Sequence, residues 1–251
     1  MARGPAHIRA KPGSVADRVV VVGDPARARF IAERFLEDVR LVNENRGYYV
    51  YTGSYKGRRV SVAVHGIGGP SAAIVFEELA MLGARVLVRL GTCGGMIPEL
   101  DVGDFVVAAG AAYLCGGTIG SYVPDACMAA SPSPDLTVLL AEEAERRGRV
   151  FIGPVYSSDA FYAETKDFAQ KWSRRGVIAV EMEAATLFTI GWLRGLRTAA
   201  LLVVADNLVV PGKEELKTHS ELENYVERAA EAVLETLVKY KPLNYAPAVH
   251  G

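Results

Sequence analysis

The sequence predicts an α/β fold: a single domain over residues 1–251, with a mixed central β-sheet flanked by helices. Short apolar runs alternate with amphipathic stretches, and glycine-rich turns separate them, which is typical of βαβ units. Hydrophobic residues make up 50% of the chain and charged residues 23%, an ordinary balance for a globular protein with a large core. We find no internal repeat or linker that would divide the chain.

The first two predicted strands each lead into a helix. Residues 18–22 read Arg-Val-Val-Val-Val, and this β-branched run predicts a strand that is buried on both faces. Residues 24–25 are Asp-Pro, which favour the start of a helix because aspartate caps the first turn and proline fits within it. A second strand is predicted over 60–64, and Pro-Ser at 70–71 begins the next helix.

The same alternation continues to the end of the chain. Further strands are predicted over 86–90, 105–109, 177–180 and 199–204. Further helices are predicted over 135–147, from 181 to about 193, and along a C-terminal stripe of apolar residues from 222 to 237.

The charge balance disfavours large anionic partners. Lys and Arg total 28 against 29 Asp and Glu, for a net charge of −1, so the chain has no long-range attraction for nucleic acid or for a membrane surface. No segment reaches the roughly 18 continuous apolar residues of a membrane span, and the first residues lack the apolar region of a secretory signal. We therefore expect a cytoplasmic protein.

The three cysteines, Cys93, Cys115 and Cys127, show no CxxC spacing, and the histidines do not cluster with them. This pattern favours reduced thiols and predicts no zinc site. Because the number is odd, pairing of Cys115 or Cys127 across a symmetric subunit contact stays open.

Glycine and polar residues follow the predicted strands at their carboxyl ends, at 23–25, 65–66, 91–92, 181–183 and 206–207. Each group alone is more typical of a turn. Together they predict a shared pocket, because ligands of open α/β sheets bind at the carboxyl ends of the strands.

Two arginines indicate an anion within this pocket. Gly23 precedes a helix N-terminus, where anions bind readily, and Arg27 lies one turn into that helix. Arg89 stands within an apolar strand, before Gly91 and Thr92. A buried arginine is costly without a partner, which is either a structural carboxylate or a bound phosphate.

Three carboxylates complete the predicted pocket. Glu181 and Glu183 flank Met182 at a strand end, and we expect their side chains to lie on opposite sides, so that one faces the pocket while the other is structural. The facing carboxylate can accept hydrogen bonds from the vicinal diol of a sugar. Asp206 ends another buried strand, where desolvation would raise its pKa and allow it to act as a general acid.

Taken in order, these segments resemble the purine nucleoside phosphorylase/uridine phosphorylase family, in its hexameric purine branch, which includes phosphorylases of 5′-methylthioadenosine. The resemblance extends from about residue 7 to 207, through the motifs VVVVGDPARA, NENRG, HGIGGPS, RLGTCGG, SSDAFY, VEMEAA and VVADN. The combination is far more specific than any one glycine pattern, and neither a complete dinucleotide fingerprint nor a GxxxxGK[ST] loop is present.

The resemblance assigns a role to each candidate residue. It implies a phosphate site formed by Gly23, Arg27, Arg89 and Thr92, together with Arg46 of a neighbouring subunit. It implies a nucleoside site formed by Cys93, Gly94, Phe161, Val180, Glu181, Met182 and Glu183, with His7 of the neighbour near the 5′ end of the sugar. Glu183 would hold the ribose hydroxyls, and Asp206 would protonate the leaving purine.

The implied reaction is reversible phosphorolysis of purine nucleosides to free base and pentose 1-phosphate. It needs inorganic phosphate as co-substrate and no metal or organic cofactor, and the implied assembly is a hexamer built from dimers. The alternatives are a hydrolytic nucleosidase, a uridine phosphorylase and a non-catalytic nucleoside or phosphate sensor. Residues 163–167 lack the Gln and Arg that uridine-specific relatives carry there, which favours a purine.

Two departures from the family pattern concern Asp206. The preceding residue is Ala205, where relatives often carry a small hydroxyl residue. The segment after Asp206 has no arginine to support its protonation, and Lys213, Lys217 and His219 are the candidates to replace it.

Overall fold

One mixed sheet of nine strands organises the computed structural model, which describes residues 4–243. The ends of the predicted domain, residues 1–3 and 244–251, lie outside the described residues. The mixed central sheet flanked by helices is confirmed.

The strands alternate with helices along most of the chain. The strands are β1 Arg18–Val22, β2 Glu37–Asn43, β3 Val50–Tyr55, β4 Arg58–Val64, β5 Val86–Gly95, β6 Phe105–Ala112, β7 Val150–Ser157, β8 Ala179–Glu181 and β9 Arg197–Asn207. The helices are α1 Pro25–Phe35, α2 Gly69–Met81, α3 Gly117–Tyr122, α4 Pro134–Glu145, α5 Phe168–Ser173, α6 Ala184–Arg194 and α7 His219–Lys239.

Five of the nine strands close into a ring. The strand order is β2-β3-β4-β1-β5-β8-β7-β6-β9, and a further pairing of β5 with β9 closes β5, β8, β7, β6 and β9 into a ring. Strand β5 is central: it lies parallel to β1 and β9 and antiparallel to β8. The residues of β5 are therefore paired with residues of three other strands.

Helices cover both faces of the sheet. Successive residues of β1 alternate between two cores: Val20 and Val22 pack with α1, α4 and α7, whereas Val19 and Val21 pack with α2 and α6. This double burial is what the β-branched run predicts. Among residues 4–243, no helix combines the length and the apolar character needed to cross a membrane.

The structure adds elements that the sequence pattern does not reveal. Strand β2 is largely exposed and rich in charge, and β7 carries Gly153 and Pro154, so neither shows a regular apolar pattern. Strand β3 and the short helices α3 and α5 are also additional. The strand predicted over 177–180 covers 179–181, and the helix expected to open at 181 begins at Ala184.

Candidate active site

Arg89 lies at the centre of a buried cluster of charged and polar side chains. It lies on β5, opposite Val21 of β1 and Ala200 of β9, and is 4% exposed. Its Nε donates to Oε2 of Glu181 at 3.1 Å, and its Nη2 lies 2.6 Å from Oε2 of Glu183. Two carboxylates therefore compensate the positive charge of the buried guanidinium.

A histidine and a glycine fix the remaining surroundings of this guanidinium. Nη1 of Arg89 donates to Nε2 of His65 at 3.1 Å. Burial, together with the neighbouring Arg89, holds the pKa of His65 well below its usual range, so the imidazole is neutral and accepts this bond. A Cβ on Gly91 would lie 2.7 Å from Nη2 of Arg89. Residue 91 must therefore lack a side chain for Arg89 to fold back over the strand.

Glu181 joins Arg89 to the start of helix α6. Its carboxylate accepts from the backbone N–H groups of Glu183 at 2.8 Å and Ala184 at 2.9 Å, and from the hydroxyl of Ser157. The first N–H groups of a helix have no partner within the helix, and Glu181 satisfies two of them. Its side chain is fully buried.

Glu183 lies on the same side as Glu181, so the expectation of opposite sides is wrong. Glu181 ends β8 and Glu183 is the N-cap of α6, and this turn of the backbone brings both carboxylates onto Arg89. Oε1 of Glu183 also accepts from the N–H of Gly68 at 2.6 Å. The pKa of Glu183 is raised, chiefly because burial removes its carboxylate from water, while Arg89 opposes this shift.

Arg27 is buried but has few partners. It is 7% exposed, and its Nη1 makes one long contact, of 3.5 Å, to the carbonyl of Leu90. Its Nε has no hydrogen-bond partner within residues 4–243. Burial lowers the pKa of Arg27 to about 10. A buried guanidinium with so few hydrogen-bond partners is suited to binding an anion.

Two further candidates for anion binding lie at the neighbouring strands β1 and β5. Gly23 follows β1, and a Cβ there would lie 3.0 Å from the carbonyl oxygen of Gly66. Thr92 lies on β5 opposite Val203 and is half-buried.

Asp206 defines the other end of the site. Gly94 of β5 is paired with Asp206 on one side and with Val180 on the other, and a Cβ on Gly94 would lie 3.1 Å from Oδ1 of Asp206. The carboxyl group of Asp206 has no hydrogen-bond partner in the described part of the chain. Desolvation, with a smaller contribution from Glu164, raises its pKa to about 6.

The other nucleoside candidates differ in exposure. Cys93 is buried, and burial, with a contribution from Asp206, raises the pKa of its thiol. Met182 lines a small cavity with Asp159 and residues of the segment after β6. Phe161 lies in a 3₁₀ turn over 161–163 and is 55% exposed, so its ring is accessible to a ligand.

His7 and Arg46 form a separate, partly exposed patch. The side chain of Asn45 donates to the carbonyl of His7 at 2.9 Å, and the rings of His7 and Tyr48 meet edge to face. Arg46 is exposed, takes a positive φ of 58°, and makes no hydrogen bond or ion pair through its side chain within the described residues. A strained backbone that presents an unpaired cation is often found at functional positions.

Glu78 is a residue that the sequence reasoning missed. From helix α2, its carboxylate accepts from the backbone N–H groups of Ala6 and Ile8 at 2.9 and 2.6 Å and lies 2.8 Å from Nδ1 of His7. It thus clamps the N-terminal segment. The available signal was a pair of adjacent glutamates, Glu77 and Glu78, within an otherwise apolar helical stretch, since a carboxylate that becomes buried there requires a partner.

The candidates to support Asp206 lie elsewhere. Lys213 binds Asp101 at 2.6 Å, and Lys217 pairs with Glu221 at 3.4 Å. The side chain of His219 lies outside the described residues. Neither lysine side chain therefore contacts the carboxyl group of Asp206 in the place of an arginine.

Acidic, histidine and cysteine side chains do not gather into a metal-binding group of three or more anywhere in residues 4–243.

Comparison with known proteins identifies the family of the chain. The family model described as the phosphorylase superfamily matches residues 17–240. A DeoD-type purine nucleoside phosphorylase of Clostridium novyi is 41% identical over 231 residues, covering 91% of this chain and 97% of that protein. One of Roseobacter denitrificans is 38% identical over 232 residues, covering 90% and 97%. A guanosine phosphorylase of Halorubrum lacusprofundi is 36% identical over 238 residues, covering 93% and 98%. The chain belongs to the phosphorylase superfamily.

Proposed function

We propose that the chain is an enzyme that catalyses reversible phosphorolysis of purine nucleosides, giving free purine and pentose 1-phosphate. The observation that carries this proposal is Arg27, a buried guanidinium with an unpaired Nε, close enough to Arg89 and Glu183 for their charges to affect its pKa. A dianion bound there would stand beside the group proposed to hold the sugar. The names of the relatives, purine nucleoside phosphorylase and guanosine phosphorylase, support the same substrates.

Phosphate is proposed to bind Gly23, Arg27, Arg89 and Thr92. Arginine carries five N–H donors, and Arg89 uses one on each of Glu181, Glu183 and His65, which leaves two for phosphate. Phosphate oxygen would then attack the anomeric carbon while the bond from that carbon to the base breaks. Holding both reactants in line supplies much of the catalytic effect.

The nucleoside is proposed to lie between Glu183 and Asp206. Each oxygen of the Glu183 carboxylate can accept more than one hydrogen bond, so the ribose hydroxyls can bind without displacing Arg89. Asp206 would donate its proton to the imidazole-ring nitrogen of the purine as the electron pair of the breaking bond moves onto the base. A pKa near 6 suits a general acid at neutral pH. We propose that Cys93, Gly94, Val180, Met182 and Phe161 contact the base and sugar.

The site is proposed to be completed by a second copy of the chain. Asn45 joins the segments of His7 and Arg46, of which Arg46 is exposed and His7 partly exposed, and this suits a contribution to a partner's phosphate and sugar pockets. A dimer is then the smallest active unit, and the hexamer built from dimers stays a prediction, as does the cytoplasmic location.

Mixing two inactive variants tests the shared site. In a mixed dimer of Asp206→Asn and Arg46→Ala subunits, one site combines intact Asp206 with intact Arg46 of the partner subunit. Each mixed dimer should therefore recover half of the normal activity, and an equimolar co-refolded mixture, in which about half of the dimers are mixed, should recover about a quarter. If Arg46 acts within its own subunit, the mixture stays as inactive as its components, and the shared site is refuted.

A substrate panel tests the reaction. Adenosine, inosine, guanosine, 5′-methylthioadenosine and uridine are each incubated with and without phosphate, and base release is followed by absorbance. We expect release from one or more purine nucleosides, only with phosphate, and little from uridine. Release without phosphate would identify a nucleosidase, and a preference for uridine would identify a uridine phosphorylase.

A further inference from the structure

A loop between β6 and α4 carries both exposed cysteines. Cys115 and Cys127 lie at the two ends of this loop, which contains α3, and their sulfur atoms are 2.9 Å apart. This separation exceeds the length of a disulfide bond, about 2.05 Å, by less than 1 Å. The two thiols therefore lie within reach of each other in one chain, whereas the sequence pattern favours reduced thiols and leaves a bridge between subunits open.

Two hydrogen bonds hold the arms of the loop together independently of the cysteines. The N–H of Ala111 donates to the carbonyl of Ala130 at 2.8 Å, and the hydroxyl of Tyr113 donates to the carbonyl of Met128 at 2.7 Å. Cys115 lies two residues after Tyr113, and its contact with Cys127 continues the contacts between the two arms of the loop. The approach of the sulfurs thus follows from the path of the backbone.

The loop also packs against the candidate site. Tyr113 and Thr118 line a small cavity together with Asp159 and Met182. Ile119 of α3 is buried in the core that contains Cys93. A bond between the ends of the loop would therefore constrain a wall of the proposed nucleoside pocket.

We propose that Cys115 and Cys127 form a thiol–disulfide site that is oxidised by a low-molecular-weight disulfide. One thiolate attacks a sulfur of this disulfide and releases one small thiol, and the second cysteine then attacks the mixed disulfide and releases the other. Two electrons pass from the cysteine sulfurs to the small disulfide, and one S–S bond forms as another breaks. The chemistry concerns the chain's own thiols and does not depend on the proposed function.

The third cysteine is an internal control. Cys93 is 4% exposed, and burial raises the pKa of its thiol. Since the thiolate is the reactive form, Cys93 should stay reduced under conditions that oxidise the exposed pair.

The test incubates the full chain with oxidised glutathione, or with dithiothreitol as the reduced reference. After oxidation, we expect free thiols counted under denaturing conditions to fall from three to one. The chain should lose the mass of two hydrogen atoms and migrate as a monomer on a nonreducing denaturing gel. The melting temperature should rise by roughly 5 °C or more, as expected for closing a loop of this length.

Matched variants complete the experiment. Cys115→Ser and Cys127→Ser should each lose the temperature shift and retain one glutathione on the remaining cysteine, whereas Cys93→Ser should keep the temperature shift and fall from two free thiols to none. Three free thiols after oxidation, a stable glutathione adduct on the original chain, or a covalent dimer on the gel would overturn the proposal. Equal melting temperatures of the oxidised and reduced chain would refute the constraint on the loop.

Discussion

The two ends of the candidate site hold their charges in different ways. At one end, Arg89 is compensated by two carboxylates and bound to His65. At the other end, Asp206 has a raised pKa and no hydrogen-bond partner among residues 4–243. The Arg89 end therefore contributes to folding in addition to its proposed role in binding, whereas the carboxyl group of Asp206 is left available for the proposed substrate.

The largest effect is expected from Asp206→Asn. Loss of the proton donor should lower kcat for purine nucleosides by about 10²–10⁴-fold, while the circular dichroism spectrum stays unchanged because no bond within the described chain is lost. Steady-state kinetics measure the change. Asp101→Asn is the control, because Asp101 is an exposed aspartate that binds Lys213, and it should leave kcat intact. A loss of less than tenfold in kcat for Asp206→Asn would contradict the role of Asp206 as the proton donor at its end of the site.

A change at the Arg89 end should act on stability as well as activity. Arg89→Met leaves the buried carboxylates of Glu181 and Glu183 without their cation, which should lower the free energy of unfolding by about 3–5 kcal/mol. Urea denaturation measures the loss.

Two further variants sharpen this result. Arg34→Met removes an exposed ion pair with Glu227 and should cost only about 0–1 kcal/mol. Adding Glu183→Gln to Arg89→Met should recover part of the stability, because one uncompensated charge is removed. Equal effects of Arg89→Met and Arg34→Met would contradict the structural role of the buried cluster.

The smallest effect is a pH-dependent gain in stability from Asp206→Asn. The pKa of Asp206 rises from its ordinary 3.8 to about 6 on folding, so the folded state favours the protonated form. Above pH 6 the buried carboxylate is ionised at a cost, and the neutral asparagine should stabilise the protein by about 1–3 kcal/mol. This advantage should shrink as the pH falls through 6 and vanish below about 4. Denaturation at pH 8 and pH 4 checks it, and a gain that is the same at both would contradict the assignment.

The sequence predicts those parts of the site that depend on strand ends. Gly23, Arg89 and Asp206 stand at or near the ends of apolar runs, and strand pairing brings the ends of buried strands together, whereas Gly94 was expected only from the family resemblance. Burial of Arg89 was predictable in the same way, from a charge within Val-Leu-Val-Arg-Leu.

Contacts between distant segments could not be predicted in this way. Which carboxylate meets Arg89, and the clamp of Glu78 on residues 6–8, depend on the packing of α2 and α6. Closure of β5 on both β8 and β9 likewise depends on the whole sheet. The sulfur contact of Cys115 with Cys127 follows from the path of a loop that carries no regular pattern.

The central claim is that the buried arginines bind a phosphate which reacts with the sugar. Phosphorus NMR of the enzyme with inosine or guanosine and inorganic phosphate tests it directly. We predict a pentose 1-phosphate signal that grows in step with free purine, and that grows about 10²–10⁴-fold more slowly for Asp206→Asn. Free purine appearing with unchanged inorganic phosphate would contradict the account.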